Sequence, residues 1–212
     1  MNNKHFHIIE QVPVDYYQNG IERNIFQRFW HVNKLKTVVR LIKDSQKTIL
    51  DVGCAGGWFI SEISNKFPKT KCHGIDIYDK GIKYAKKIYP KIEFKTADAH
   101  KIPYRENSFD LVICTEVLEH LDDPRGALLE IKRVLRKYGR AVIELDSGGF
   151  IFSVAWYVWR KFDGRVWNGS HLHSFNIKKL ERMIQSCGFK ILSKQKFNFG
   201  MAVIFLIENE EI

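Results

Sequence analysis

The chain is short of the residues that mark special environments. It has 4 cysteines in 212 residues, Cys54, Cys72, Cys114 and Cys187, and no two are in CxxC spacing. That excludes a disulfide framework and a cysteine-based zinc site, and it points to a reducing compartment, the cytoplasm. Proline and glycine number only 5 and 14, which excludes a collagenous or low-complexity chain. No apolar run approaches the ~20 residues of a membrane span. The longest, Phe150 to Trp159, is ten residues and contains Ser153. The first ten residues hold no continuous apolar stretch of the kind a secretory signal requires.

What is present is an ordinary globular mixture, 45% hydrophobic and 27% charged. A chain of this length buries a core without staples and forms one domain. Lys and Arg outnumber Asp and Glu by 34 to 24, a net charge of +10. Such a balance favours acidic partners, whether nucleic acid, anionic lipid or an acidic small molecule. The lysines are spread along the chain rather than gathered in one run, which is the pattern of solvated helix faces.

Hydrophobic periodicity organises the chain. Residues 1–20 read as irregular, with a turn signal at Asn19-Gly20. From Ile21 to Ser45, Ile25, Phe29, Val32, Leu35, Val39 and Ile42 recur at steps of three and four, which predicts one helix. Short apolar runs of strand type then alternate with helical patterns. Strands are predicted over 48–52, 71–77, 92–97, 109–115 and 140–145, and helices over 58–66, 80–89 and 124–137. That alternation specifies a parallel sheet covered on both faces. After Gly148-Gly149 the pattern breaks into an aromatic-rich insert. It resumes with a helix over 176–186, closed by Gly188, and two strands over 190–196 and 201–207 that pair as an antiparallel hairpin.

In an open α/β sheet the ligand lies beyond the carboxyl ends of the strands. The first strand ends in Asp51-Val52-Gly53-Cys54-Ala55-Gly56-Gly57, a turn that lets a ligand approach backbone closely. The second ends at Asp76, nineteen residues past Gly57, where an acid would grip ribose hydroxyls. Asp98-Ala99 follows the third strand, and Glu116, Glu119 and His120 follow the fourth. The glycine turn carries no lysine, so it is not a phosphate-binding P-loop. Carboxylates around one crevice in a basic protein suit an adenosyl ligand with a sulfonium and an ammonium, which describes S-adenosylmethionine. A dinucleotide oxidoreductase and a set of helix-capping carboxylates are the competing explanations.

These residues carry a family resemblance. The segments ILDVGCAGGWF at 49–59, GIDIYDKGIKYAK at 74–86 and TADAHKIPYRENSFDLVICTEVLEHLDDP at 96–124, with the closing hairpin, resemble the class I S-adenosylmethionine-dependent methyltransferases, in particular their type 11 group. The resemblance implies an α/β, Rossmann-like seven-stranded sheet of order 3-2-1-4-5-7-6 with the last strand antiparallel. It implies that Gly53, Cys54, Ala55, Gly56 and Gly57 pass beneath the methionyl part of the cofactor, with Asp51 below. Asp76 would take both ribose hydroxyls beside Ile77, Asp98 would meet the adenine amino group beside Ala99, and Thr115 would line the cofactor. Ala55 stands where the family usually has its middle glycine, and its methyl is accommodated where the backbone keeps a negative φ.

Methyl transfer needs alignment of an acceptor with the S–CH3 bond and exclusion of water. A base helps where the acceptor keeps its proton, and the candidates are His120, His171, His173, Tyr16 and Glu116. Steps of three and four in E-x-x-E-H would put Glu116, Glu119 and His120 on one helical face. With His171 or His173 they would form a metal site of the kind used by some methyltransferases in the family, although metal-free relatives carry the same letters. Metal-free transfer is the primary expectation, and metal-assisted O-methylation the alternative. Tyr16, Tyr17, Phe26, Phe29 and Trp30 of the N-terminal helix and the aromatics of 147–173 are placed around a small, apolar or amphipathic acceptor. Residues 150–159 read as a packed lid, and peripheral membrane contact through 150–165 as the sharper alternative. The chain is thus one methyltransferase domain, with a cap at 1–45, a cofactor half at 46–146, a lid insert at 147–173 and a closing helix and hairpin at 174–212. Nucleic acid is a less favoured acceptor, because Thr115-Glu116-Val117-Leu118 replaces the N-P-P-Y type of tetrapeptide. A non-catalytic cofactor-binding protein is the alternative from another class.

Overall fold

The computed structural model describes residues 8, 10–159, 161, 165 and 176–210. Seven strands form one sheet: β1 (Thr48–Val52), β2 (Lys71–Asp76), β3 (Glu93–Thr96), β4 (Phe109–Thr115), β5 (Leu135–Asp146), β6 (Phe189–Phe197) and β7 (Ala202–Asn209). Their order is β3-β2-β1-β4-β5-β7-β6. The neighbours from β3 to β5 are parallel, and β7 runs antiparallel to both β5 and β6. The order and the antiparallel hairpin are those expected from the sequence.

Both faces of the sheet are covered, so the central strands are mostly apolar on both faces, with Asp51 and Glu144 as buried exceptions. Side chains still alternate between faces. Leu50, Val112 and Cys114 join one core cluster, with Leu128 and Ile131 of α5 (Pro124–Val134) and Leu180 and Ile184 of α7 (Ile177–Ser186). Ile49, Leu111 and Ile113 join the other, with Ile60 and Ile63 of α3 (Trp58–Lys66) and Ile82 and Ala85 of α4 (Asp79–Ile88). The helix ends follow local chemistry. Asp123 caps α5 by accepting from Gly126 N at 2.9 Å, and Asn176 caps α7 by accepting from Lys178 N at 2.9 Å. Gly188, at φ +76°, closes α7 in the left-handed conformation expected of it.

Two predicted elements are corrected. The N-terminal region holds two helices, α1 (Tyr16–Arg23) and α2 (Ile25–Val39), and α1 runs straight through Asn19-Gly20. Asn24 has extended backbone and its side chain accepts from Phe26 N and Gln27 N at 2.9 and 3.1 Å, which starts a new helix there. The buried residues of α2 are Gln27, His31, Lys34 and Val38, whereas Ile25 and Phe29 are exposed. The apolar stripe therefore packs the core only toward its carboxyl end, through Leu35, Val38 and Val39. The second correction is at α5, which stops at Val134 instead of 137. Leu135 already pairs with Phe109 in β5, and Tyr138 at φ +59° lies within a register shift before Arg140 pairs with Leu111.

Candidate functional site

The turn after β1 is fixed by backbone hydrogen bonds across the sheet end. Gly53 N and Cys54 N donate to Ile75 O at 2.8 and 3.0 Å, and Gly57 N donates to Cys54 O at 2.8 Å. Asp76 joins this turn to the next. Its Oδ2 accepts from Ala55 N and its Oδ1 from Tyr78 N, both at 2.8 Å. Close approach explains the glycines. A Cβ on Gly53, at φ +80°, would lie 2.2 Å from Val117 Cγ2, and one on Gly56 would lie 2.4 Å from Val14 O. Gly57, at φ +82°, faces away, where a Cβ would meet Phe94 and Ala85. Ala55 does not keep a negative φ. It sits at +46°, in the region that favours glycine, and this corrects the sequence expectation.

Above this turn opens a cavity of about 880 Å³, near the upper end of ordinary ligand pockets. The strand ends contribute Gly53, Ala55, Gly56, Asp76, Ile77, Asp98 and Ala99 to its wall. The wall also holds Tyr16, Tyr17, Phe26, Phe29 and Trp30 from α1 and α2, and Phe152, Trp156 and Trp159 from α6 (Phe150–Trp159). A side chamber of about 40 Å³ shares Gly53, Ala55, Gly56 and Glu116 with it and reaches Asp51, Cys54 and Thr115. The segment before α1 closes one wall. Tyr78 Oη donates to Val12 O at 2.7 Å, and Gln18 Nε2 donates to Tyr89 Oη at 2.5 Å.

The electrostatics are one-sided. Asp76, Asp98, Glu116, Glu119 and Asp146 line the main cavity, and no Lys or Arg among the described residues does. Burial pushes Asp51 up to about 8 against the pull of Lys34, and pushes Asp146 up to about 6 despite the bond it accepts from Gly148 N. Burial also raises Glu144 to about 8, and neither of its carboxyl oxygens has a hydrogen-bond partner. The buried Lys34 answers this charge from the side chamber. Its Nζ donates to Glu116 Oε2 at 2.8 Å, while Trp30 Nε1 donates to Glu116 Oε1 at 2.7 Å. Burial opposes ionisation of Glu116, but Lys34 and Trp30 overcome it and hold the carboxyl down at about 2. His31, packed edge-on against Tyr17, is lowered to about 3 by burial and by Lys34 and is neutral.

The residues singled out in the sequence separate into groups. Gly53, Ala55, Gly56, Asp76, Ile77, Asp98 and Ala99 share the cavity wall, Asp51, Cys54 and Thr115 lie in the chamber below, and Gly57 lies outside both. Asp98 Oδ1 accepts from His100 N and lies 2.7 Å from His100 Nδ1. Glu116, Glu119 and His120 do not share a helical face. Glu116 has φ +55°, the turn Leu118–His120 is a single 3₁₀ turn, and Glu119 is buried with Oε2 unpartnered. Among the described residues no group of three or more His, Cys, Asp or Glu is arranged to hold a metal ion. His171 and His173 lie outside the described residues. Glu116, engaged on both oxygens, is an ion-pair anchor and a weak base, whereas His120 and Tyr16 face the cavity. Sequence reasoning missed Asp146, Trp30 as a donor, His31 and Lys34. Asp146 could have been found by the strand-end rule that found Asp76. The lysine carries no signal, since it sits among other lysines on a helix.

The cavity suits the implied cofactor. Glycine backbone offers close approach, two strand-end acids stand beside it, and the lining repels phosphate and favours a cation. The family model described as a methyltransferase domain matches residues 50–143. The chain is 30% identical over 145 residues to malonyl-[acyl-carrier protein] O-methyltransferase of Hahella chejuensis, covering 67% of this chain and 50% of that protein. It is 29% identical over 189 residues to demethylmenaquinone methyltransferase of Thermotoga maritima, covering 81% of this chain and 82% of that protein. The chain thus spans half the length of the first relative and most of the second. In fold it is similar to an S-adenosylmethionine-dependent methyltransferase structure from Thermotoga maritima, with TM-score 0.74 and 18% identity over 97% of this chain and 100% of that one. Strand order, strand-end motifs and these matches agree, and the chain belongs to the class I S-adenosylmethionine-dependent methyltransferases.

Proposed function

We propose that the chain transfers a methyl group from S-adenosylmethionine to a small, neutral, apolar or aromatic acceptor. The observation that carries this is the make-up of the cavity wall: strand-end acids and glycine backbone together with aromatic side chains, and no Lys or Arg among its described lining residues. S-adenosylmethionine bound there supplies the electrophilic methyl, and the rest is positioning. Asp76 would accept from the ribose hydroxyls while it keeps the bonds from Ala55 N and Tyr78 N. Asp98, steadied by His100, would accept from the adenine amino group. Phe26, Phe29, Trp30, Phe152 and Trp156 would hold the acceptor ring and exclude water. His120 or Tyr16 would take the acceptor proton where there is one to lose.

The lining also ranks the acceptors suggested by the relatives. A free carboxylate, as in a malonyl group, would enter a cavity lined by Asp146 and Glu116, with no Lys or Arg among its described lining residues. A quinone-like ring meets no such penalty and gains aromatic contact. The phosphates of RNA are disfavoured for the same reason as the carboxylate. Calorimetry on the purified chain is expected to show uptake of S-adenosylmethionine and its demethylated product. Labelled methyl should then pass to a ring-bearing amphipathic acceptor and not to RNA. Uptake of neither compound would end the reading.

A further inference from the structure

We infer that the apolar collar around the cavity mouth seats on an anionic lipid bilayer, and that the acceptor enters the cavity from that membrane. The first half rests on the surface alone. The second rests on the methyltransferase reading above.

Helix α6 is apolar on both sides. Its inner side chains Phe152 and Trp156 line the cavity, while Phe150, Ile151, Val154 and Tyr157 of its outer side are 84, 59, 48 and 55% exposed. A second exposed patch comes from α2 and the turn after β6. Ile25 and Phe26 are each 77% exposed, and Phe29 stacks on the 79% exposed Phe199 at 5.8 Å. Trp30 joins the patches, with its ring 6.5 Å from both Phe152 and Phe197. Phe26 and Phe29 line the cavity as well as the surface, so the exposed collar is continuous with the wall of the site. A folded protein rarely leaves such a contiguous surface in water without a partner.

Charge selects the partner. Basic residues border each part of the collar: Arg23 and Arg28 flank Ile25, Phe26 and Phe29 in sequence, and Lys161 Nζ lies 4.5 Å from the ring centroid of Tyr157. Arg165 Nε donates to Lys161 O at 2.9 Å, and Lys196 lies beside Gly200. Glu22 is the acid next to Arg23, and the excess around the collar is positive, as it is for the whole chain at +10. An aromatic surface bordered by Lys and Arg is the arrangement that inserts apolar groups while cations meet anionic head groups. Helix α6 has ten residues, about 15 Å long, roughly half a bilayer's hydrocarbon thickness. No helix of the described residues is long and apolar enough to cross a membrane, so α6 would lie in the interface rather than span it.

The test is co-sedimentation with vesicles of phosphatidylcholine alone or mixed equally with phosphatidylglycerol, alongside calorimetry with S-adenosylmethionine. The wild type is expected to sediment with the anionic vesicles, stay soluble with the neutral ones, and be released by high salt. The double variant F150S/Y157S, which touches no cavity-lining residue, is expected to partition at least about tenfold less. K161E is expected to lose about fivefold or more. Both should bind S-adenosylmethionine as the wild type does. Wild type left in the supernatant with anionic vesicles overturns the inference, as does undiminished sedimentation of F150S/Y157S. A dimer in analytical ultracentrifugation that F150S/Y157S dissolves would assign the surface to a second copy and overturn it too. Sedimentation with no cofactor uptake would overturn the methyltransferase reading and leave the docking intact.

Discussion

Residues 52–99 form one side of the cavity wall at neighbouring strand ends, while the rest of the wall comes from segments far apart in the chain. On the first side, Gly53, Ala55 and Asp76 are placed by hydrogen bonds between adjacent strand ends, such as Gly53 N to Ile75 O. In the rest, Trp30 of α2 holds Glu116 after β4, Phe29 meets Phe199 after β6, and Phe152 comes from α6. The first side is fixed once the sheet forms. The rest depends on helices that cross the sheet end and on one buried cation. Recognition of a constant ligand can be built into local backbone, whereas recognition of a variable acceptor is carried by side chains that can change without moving a strand.

The largest expected effect tests that cation. Lys34→Met removes the lysine paired with Glu116 and leaves that half-buried carboxylate without its cation and near Glu144. Breaking a fully buried pair on one side costs about 3–5 kcal/mol, and the part exposure of Glu116 puts this pair at the lower end, about 3 kcal/mol. Urea denaturation at pH 7 is expected to show a loss of that order. Because the pair holds Glu116 down at about 2, its contribution is present above the ordinary Glu range and fades as pH falls toward 2. The gap between variant and wild type should therefore narrow from pH 7 to pH 3. A gap that stays constant would mean that Lys34 acts through packing alone.

The next effect isolates the strand-end side. Asp76→Ala is expected to weaken binding of S-adenosylmethionine at least about a hundredfold, since two hydrogen bonds to a charged acceptor are worth about 1.5–3 kcal/mol each. It also frees Ala55 N and Tyr78 N, so Asp76→Asn, which keeps one acceptor oxygen, should lose clearly less. Affinity within twofold of wild type in Asp76→Ala would remove this residue from the cofactor site.

A smaller effect joins the two parts of the wall. Asp51 and Glu144, raised to about 8 by burial, and Asp146, raised to about 6, hold protons that an isolated carboxyl would have lost. Their burial costs little below the ordinary carboxyl range and more as pH rises through those values, so the ligand-free protein should lose stability from pH 5 to 8. A cation in the cavity reverses the preference and favours the ionised forms. Binding that releases one proton tightens about tenfold per pH unit. Calorimetry in buffers of different ionisation enthalpy at pH 7 is expected to detect that proton, and identical heats in all buffers would show that the carboxyls do not respond to the ligand.

The same division sets what was legible in the sequence. Asp51, Asp76 and Asp98 could be placed because strand period and strand ends are local patterns, and the sheet order came with the resemblance that those motifs carry. The helix break at Asn24 was hidden because the apolar period of α2 runs on across it, and only the side-chain cap reveals it. The single-face arrangement of Glu116, Glu119 and His120 failed because it assumed a helix where Glu116 takes a left-handed backbone. Lys34 was invisible for a different reason: a buried cation is defined by partners after β4, on β5 and on β1, and helix α2 alone does not name them. The lid was also read too simply, because an all-apolar helix can line a cavity with one side and leave the other in water.

The smallest effect concerns Ala55, where the resemblance implies a glycine. Ala55 is held at φ +46° because its N–H must reach Asp76 Oδ2 while the turn passes beneath the cavity. An L-residue in that region pays about 1–2 kcal/mol that glycine does not, and glycine returns part of it through the greater freedom of its unfolded chain. Ala55→Gly is therefore expected to stabilise the protein by roughly 0.5–1 kcal/mol, read as a higher urea midpoint with an unchanged slope. The hydrogen bond to Asp76 remains, so cofactor affinity should hold or rise slightly. Ala55→Val, branched at Cβ in the same conformation, should move stability the opposite way. If Ala55→Gly were the less stable protein, the methyl would have to be earning packing energy against the turn, and the strain assigned to Ala55 would be wrong.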